Sequence, residues 1–212
     1  MFSRLQQLTA VLVVCWAGSA AAAGESVSNF NSAGDYAFAP AYGEALPPVG
    51  YVDFCARHAD ECRPLGGSNV KIKLTSERWQ VLGEINDFVN RKIRPAHDVD
   101  LHGVPERWSI PTDAGDCEDY VLLKKRYLEG VGFPAETLLI TVVLEEQGGG
   151  HAVLIVRTSA GDFVLDNRRT EIKRWSETGY YFLKRQSQSD PLQWIALTPG
   201  NAPDPVSIAG GN

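Results

Sequence analysis

Cys117 sits among three carboxylates in Gly115-Asp116-Cys117-Glu118-Asp119-Tyr120, at the head of a helix-like run. Downstream lie a glycine-flanked histidine, His151, and an aspartate closing an apolar run, Asp166. A thiol, an imidazole and a carboxylate are what cysteine acyl transfer requires. The thiolate attacks, the imidazole moves protons, and the carboxylate orients the imidazole. Each position also has an ordinary reading. A lone cysteine is commonly a small buried hydrophobe, and a histidine heading a strand is commonly structural. An Asp-Asn pair after an apolar run commonly makes a turn. The order of the three favours a catalytic set. The chain between them suffices for one helix and two antiparallel strands, so the groups can meet in space.

The placement of Cys117 has a chemical consequence. Backbone N–H groups and the dipole at a helix N-terminus favour an anion, which lowers a thiol's pKa. The same groups can hold an oxyanion. His151 as a cation would lower the thiol further, and Asp166 would accept from its other ring nitrogen and fix the tautomer. Asp116, Glu118 and Asp119 act the other way, because like charges raise a thiol's pKa. Two readings of these acids stay open. Asp at an N-cap and an acidic first turn are plain helix capping. Hard oxygens this dense also suit a divalent cation such as calcium, which would cancel the unfavourable field. The spacing is not that of an EF-hand loop.

The elements that must position these groups follow from periodicity. Residues 76–94 read as a helix capped by Ser76 and stopped by Pro95, with Trp79, Leu82, Ile85, Phe88/Val89 and Ile93 on one face. Residues 96–114 read as a long loop carrying Trp108, whose indole could wall a groove beside Cys117 or anchor the core. A second helix starts near Asp116 or Cys117, runs to about Glu129 and ends at Gly130 and Gly132. β-rich runs follow at 138–144, 151–157, 162–166, 180–184 and 193–197. Helices first and an antiparallel sheet afterwards make an α+β domain.

The N-terminus reads as a cleavable secretory signal. Arg4 supplies the positive region, residues 8–16 are too short an apolar run to span a bilayer, and residues 18–23 are small. Cleavage is expected near Ala23, with export to the periplasm. Cys15 follows Val14, where lipid modification wants a small residue. Residues 24–75 form an N-terminal arm, 76–197 the catalytic domain and 198–212 a flexible tail. A net charge of −6 without a Lys/Arg cluster makes nucleic acid a poor partner.

Past the signal three cysteines remain: Cys55, Cys62 and Cys117. In an oxidising compartment an odd thiol is exceptional. If Cys55 pairs with Cys62, Cys117 is the odd one. Seven residues of continuous helix rise about 10.5 Å, and a disulfide tolerates about 7 Å between Cα atoms. A bridge therefore needs a turn or a broken helix between the two cysteines.

Gly115-Asp116-Cys117-Glu118-Asp119-Tyr120, Gly150-His151-Ala152-Val153-Leu154 and Val164-Leu165-Asp166-Asn167 together resemble the bacterial transglutaminase-like cysteine peptidases. The LapG-type periplasmic adhesin proteases are members of that family. Trp79, Asn86, Asn90 and the Trp108 to Pro111 stretch add to the likeness, which covers roughly residues 75–197. The resemblance implies a papain/transglutaminase-like fold and a Cys117, His151, Asp166 triad. It also implies calcium on Asp116, Glu118 and Asp119. LapG-type members cut a large surface adhesin at a di-alanine site, and a membrane receptor for cyclic di-GMP sequesters them. The expected function is thus an exported cysteine endopeptidase. A transglutaminase or amidase on cell-envelope substrates would use the same thioester, and a non-enzymatic periplasmic binding module would keep only the fold.

Overall fold

The computed structural model describes residues 37–200. The expected signal sequence and cleavage site, the arm before residue 37 and the tail from residue 201 lie outside the described residues.

The sheet has seven strands. In chain order they are β1 (Glu44–Ala45), then β4 (Leu138–Leu144), β5 (Gly150–Thr158), β6 (Gly161–Leu165), β7 (Lys173–Arg174), β8 (Tyr181–Gln186) and β9 (Trp194–Ala196). Their spatial order is β1-β9-β8-β4-β5-β6-β7, with every pairing antiparallel. β2 (Arg94–Pro95) and β3 (Ala114–Gly115) make a separate short parallel pair. The helices are α1 (Val49–Arg57), α2 (Ser76–Lys92), α3 (Asp98–His102) and α4 (Cys117–Gly130). The domain is α+β, with the cysteine-bearing helix laid on an antiparallel sheet.

Strand alternation divides the core. Leu138, Ile140, Val142, Ala152, Leu154 and Val156 pack with Val121, Leu122 and Leu128 of α4. Leu139, Val143, Val153 and Ile155 face the opposite side with Ala39, Val164, Phe182 and Leu197. Both faces are apolar because both are covered. α4 is buried nearly all round, between the sheet and α2. A third cluster of Val89 and Ile93 with Tyr120 and Leu123 forms the α2–α4 seam.

Several boundaries differ from the sequence reading. Thr75, not Ser76, caps α2: its Oγ1 accepts from Arg78 N–H at 3.3 Å. Leu82 and Val89 are buried on the expected face, whereas Trp79 and Phe88 are largely exposed. The loop after α2 contains α3, and its last residues pair as β3. Residues 49–57, within the N-terminal arm and given no element from the sequence, are helical.

That helix ends at Arg57, and a separate 3-10 turn spans Ala59–Cys62. The break brings the Cys55 and Cys62 Cα atoms to 5.7 Å, and the two are disulfide-bonded. Trp108 is fully buried, edge-on to Tyr51 with ring centroids 5.3 Å apart. A Cβ on Gly50 would lie 2.5 Å from its indole. Trp108 is therefore a core anchor rather than a groove wall. Among the described residues no helix is long and apolar enough to cross a membrane.

Candidate active site

Cys117 is the first residue of α4, and β5 passes beside it. The last β5–β6 pair is Leu154 with Leu165, so residues 150–153 of β5 run beyond the end of β6. In that overhang the backbone N–H of Ala152, the residue next to His151, faces the Cys117 thiol and favours its thiolate. The same truncation of β6 leaves Asp166 as the first residue past the strand.

His151 is fully buried, and its Nε2 lies 2.9 Å from Asp166 Oδ1. The carboxylate has further donors. Arg168 N–H reaches Oδ1 at 3.0 Å and the Tyr180 hydroxyl reaches Oδ2 at 2.7 Å. Burial alone would raise Asp166, but the His151 contact and these donors outweigh it and hold the carboxyl down at about 2. Asp166 is therefore an acceptor, His151 carries its proton on Nε2, and Nδ1 is left as the basic nitrogen. Nδ1 is buried without a hydrogen-bond partner.

α2 fixes the loop that follows Asp166. Asn90 Nδ2 donates to the Asp166 carbonyl at 2.9 Å. Asn86 Nδ2 donates to the Thr170 carbonyl at 3.2 Å. The two asparagines lie one turn apart and so grip the same loop.

The acids around Cys117 do not behave as simple caps. Asp116 is the N-cap of α4, yet its side chain makes no capping hydrogen bond. Ligand atoms of Asp98, Asp116 and Glu118 all lie within 4.8 Å of one another. Asp98 Oδ1, both Asp116 oxygens and Glu118 Oε1 are buried without hydrogen-bond partners. Burial first, and then the charges of Asp98 and Glu106, raise Asp116 to about 6. Burial and the charges of Asp116 and Glu106 push the fully buried Glu118 well above the carboxylate range.

Asp119 stands outside this trio. Its Oδ1 accepts from Ser109 N–H at 2.7 Å and from the Ser109 hydroxyl at 3.2 Å. Burial raises it to about 8 against those donors. A Cβ at position 115 would lie 2.4 Å from Asp119 Oδ2, which explains the glycine of the Gly-Asp-Cys-Glu-Asp run. The thiol itself donates to Glu118 Oε2 at 3.2 Å. Burial, then the charges of Glu118 and Asp116, push it well above an ordinary cysteine.

Three residues of the site were not singled out from the sequence. Asp98 joins the acidic cluster from α3, and only its charge in a long loop hinted at it. Tyr180 is one residue ahead of β8 and carries no local signal. Lys124, fully buried on α4, has no hydrogen-bond partner at Nζ. Burial lowers it to about 7, against the attraction of Asp166.

The sequence matches the family described as bacterial transglutaminase-like cysteine proteinase BTLCP over residues 41–202. No curated protein matches it significantly. Among solved structures, it is similar to Legionella pneumophila LapG in a calcium-bound form. That match has 24% identity and a TM-score of 0.49, covering 61% of this chain and 75% of that one. An EGTA-treated form of the same Legionella protein matches at 25% identity and a TM-score of 0.47, covering 58% and 69%.

Proposed function

The chain belongs to the bacterial transglutaminase-like cysteine proteinases and is a cysteine peptidase; from that premise we propose that Cys117, His151 and Asp166 are its catalytic triad and that it acts as an exported endopeptidase. One observation carries the assignment. His151 Nε2 is held 2.9 Å from Asp166 Oδ1, on the strand that passes beside Cys117 at the head of α4. His151 Nδ1 takes the thiol proton, and the thiolate adds to the scissile carbonyl. Backbone N–H groups in the first turn of α4 meet the developing oxyanion. The proton passes to the leaving amine, and water then hydrolyses the thioester with His151 as base.

The unpartnered carboxylate oxygens of Asp98, Asp116 and Glu118 fit a hard divalent cation, and calcium is the proposed ion. Asp119 lies beside that trio, held by Ser109. Bound there, the ion would supply positive charge that offsets the field raising the Cys117 thiol. Residues 1–23 support export, and a disulfide between Cys55 and Cys62 suits the periplasm. The proposed substrate is a large surface adhesin cut at a small-residue site, with an inner-membrane cyclic di-GMP receptor as the regulatory partner.

The test uses the mature protein with the large adhesins of its own organism and, separately, with a glutamine donor plus an amine. Release of a discrete fragment by cleavage at Ala-Ala is the expected result. Amine incorporation without cleavage would replace the peptidase reading with a transglutaminase one.

A further inference from the structure

Asp166 is buried, and its two oxygens are partnered unequally. Oδ1 accepts from both His151 Nε2 and Arg168 N–H, whereas Oδ2 accepts from the Tyr180 hydroxyl at 2.7 Å. The Tyr180 ring also meets His151 edge-on, with centroids 5.7 Å apart. One side chain thus touches both members of the pair. Burial, and then the bond to Asp166, push its phenol upward, so it stays a donor through the neutral range.

The surroundings of Tyr180 hold it there. The Arg169 guanidinium lies over its ring at 4.9 Å from the centroid. Arg169 is itself fastened to the Thr178 carbonyl at 2.8 Å and paired with Glu146 at 3.4 Å. Thr178 Oγ1 accepts from Tyr180 N–H at 3.2 Å. Gly179 between them adopts φ +81°, a left-handed conformation that glycine takes without strain. The ring also borders a cleft of about 270 Å³ lined by Glu145, Glu146, Arg168 and Arg169.

We propose that Tyr180 is a positioning residue for this active site, fixing the Asp166 carboxylate through its hydroxyl and the His151 imidazole through its ring. The inference rests on the triad reading. Without the hydroxyl, Oδ2 is left buried with no donor, and the carboxylate can turn away from the orientation that serves His151 Nε2. A misdirected imidazole lowers the rate of proton transfer and leaves substrate binding alone.

The test is Tyr180→Phe, which keeps the ring and removes one oxygen. A hydrogen bond to a charged group corresponds to roughly a 10- to 100-fold loss in kcat, with KM within twofold of wild type. The downfield proton resonance of His151 Nε2–H should shift upfield. A kcat within twofold of wild type, a loss confined to KM, or an unshifted His151 proton would each overturn the proposal. Cys117→Ser in the same assay keeps the two readings apart. If it still turned substrate over, the triad assignment would fail, and the His151 resonance would still decide whether Tyr180 fixes the pair.

Discussion

Glu118→Gln separates the two readings of the acids beside the nucleophile. In the ion-free protein the Asp98, Asp116 and Glu118 carboxylates crowd within 4.8 Å. Asp116 rises from 3.8 to about 6, which amounts to about 3 kcal/mol at 1.36 kcal/mol per unit. A raised carboxyl contributes stability that is full below its unfolded value and lost as pH rises through its folded one. On this group the ion-free fold therefore weakens from about pH 4 to just above pH 6. Calcium at a hundredfold excess over its dissociation constant adds about 2.7 kcal/mol. For a domain of this size that is a rise in Tm of about 5–11 °C. The rise should be larger at pH 7.5 than at pH 5, where the ion must displace the Asp116 proton. Glu118→Gln should abolish the calcium response without lowering the chelated Tm, because it replaces a buried titratable carboxyl with a neutral group of the same shape. Plain capping predicts the reverse: a loss of about 0.3–1 kcal/mol in chelator and no calcium response in either protein. The assay is thermal denaturation with millimolar calcium or chelator at both pH values. An unchanged wild-type Tm, or a response larger at pH 5, would refute the cation reading.

Cys117→Ala or Cys117→Ser should abolish turnover while leaving the fold intact, and iodoacetamide should label Cys117 alone because Cys55 and Cys62 are bridged. His151→Ala should be nearly as damaging and Asp166→Asn somewhat less so, read as kcat on a cleaved peptide. Lys124→Met should stabilise the protein. A buried lysine lowered from 10.5 to about 7 burdens the fold fully below pH 7, and the burden fades as pH rises to 10.5. The gain should be about 3–5 kcal/mol at pH 6 and about 2 kcal/mol at pH 9. Denaturant titration at the two pH values checks it, and a gain that grew with pH would exclude the mechanism.

The sequence exposed what local pattern controls. The 138–144 strand is legible to the residue because an unbroken run of Leu, Ile, Thr and Val, covered on both faces, reads as a buried strand. α4 is legible because an acidic start and glycines at its end bracket it. α1 was not, since nine residues after Pro48 with no side-chain cap resemble a coil until Tyr51 and Phe54 are seen packed in the core. Thr75 and Ser76 are equivalent as caps on paper, and only backbone geometry chooses between them. Asp98 and Tyr180 act across long stretches of chain, and neither has a periodic or motif signal to betray its partner. Trp108 could have served either as wall or as anchor, and the glycine at position 50, which makes room for its indole, decided it.

The site divides into two halves with different electrostatic standing. The sheet half is His151 with Asp166, backed by Tyr180, Arg168 and the asparagines of α2. Its carboxyl is held at about 2, so the pair is preorganised across the whole neutral range. The helix half is Cys117 within its acids, where burial and two neighbouring carboxylates hold the proton on sulfur. A helix N-terminus is worth about 0.3–1 kcal/mol to an anion. Each pKa unit is worth 1.36 kcal/mol, so the dipole offsets less than one unit of what the acids impose. The proton can leave the thiol readily only if Asp116 and Glu118 are neutralised, by protons or by a cation. Protons on the acids remove their negative charge but supply no positive charge to favour the buried thiolate. A cation held by the same carboxylates, as proposed above, would place positive charge beside the sulfur and favour the thiolate that the dipole alone does not.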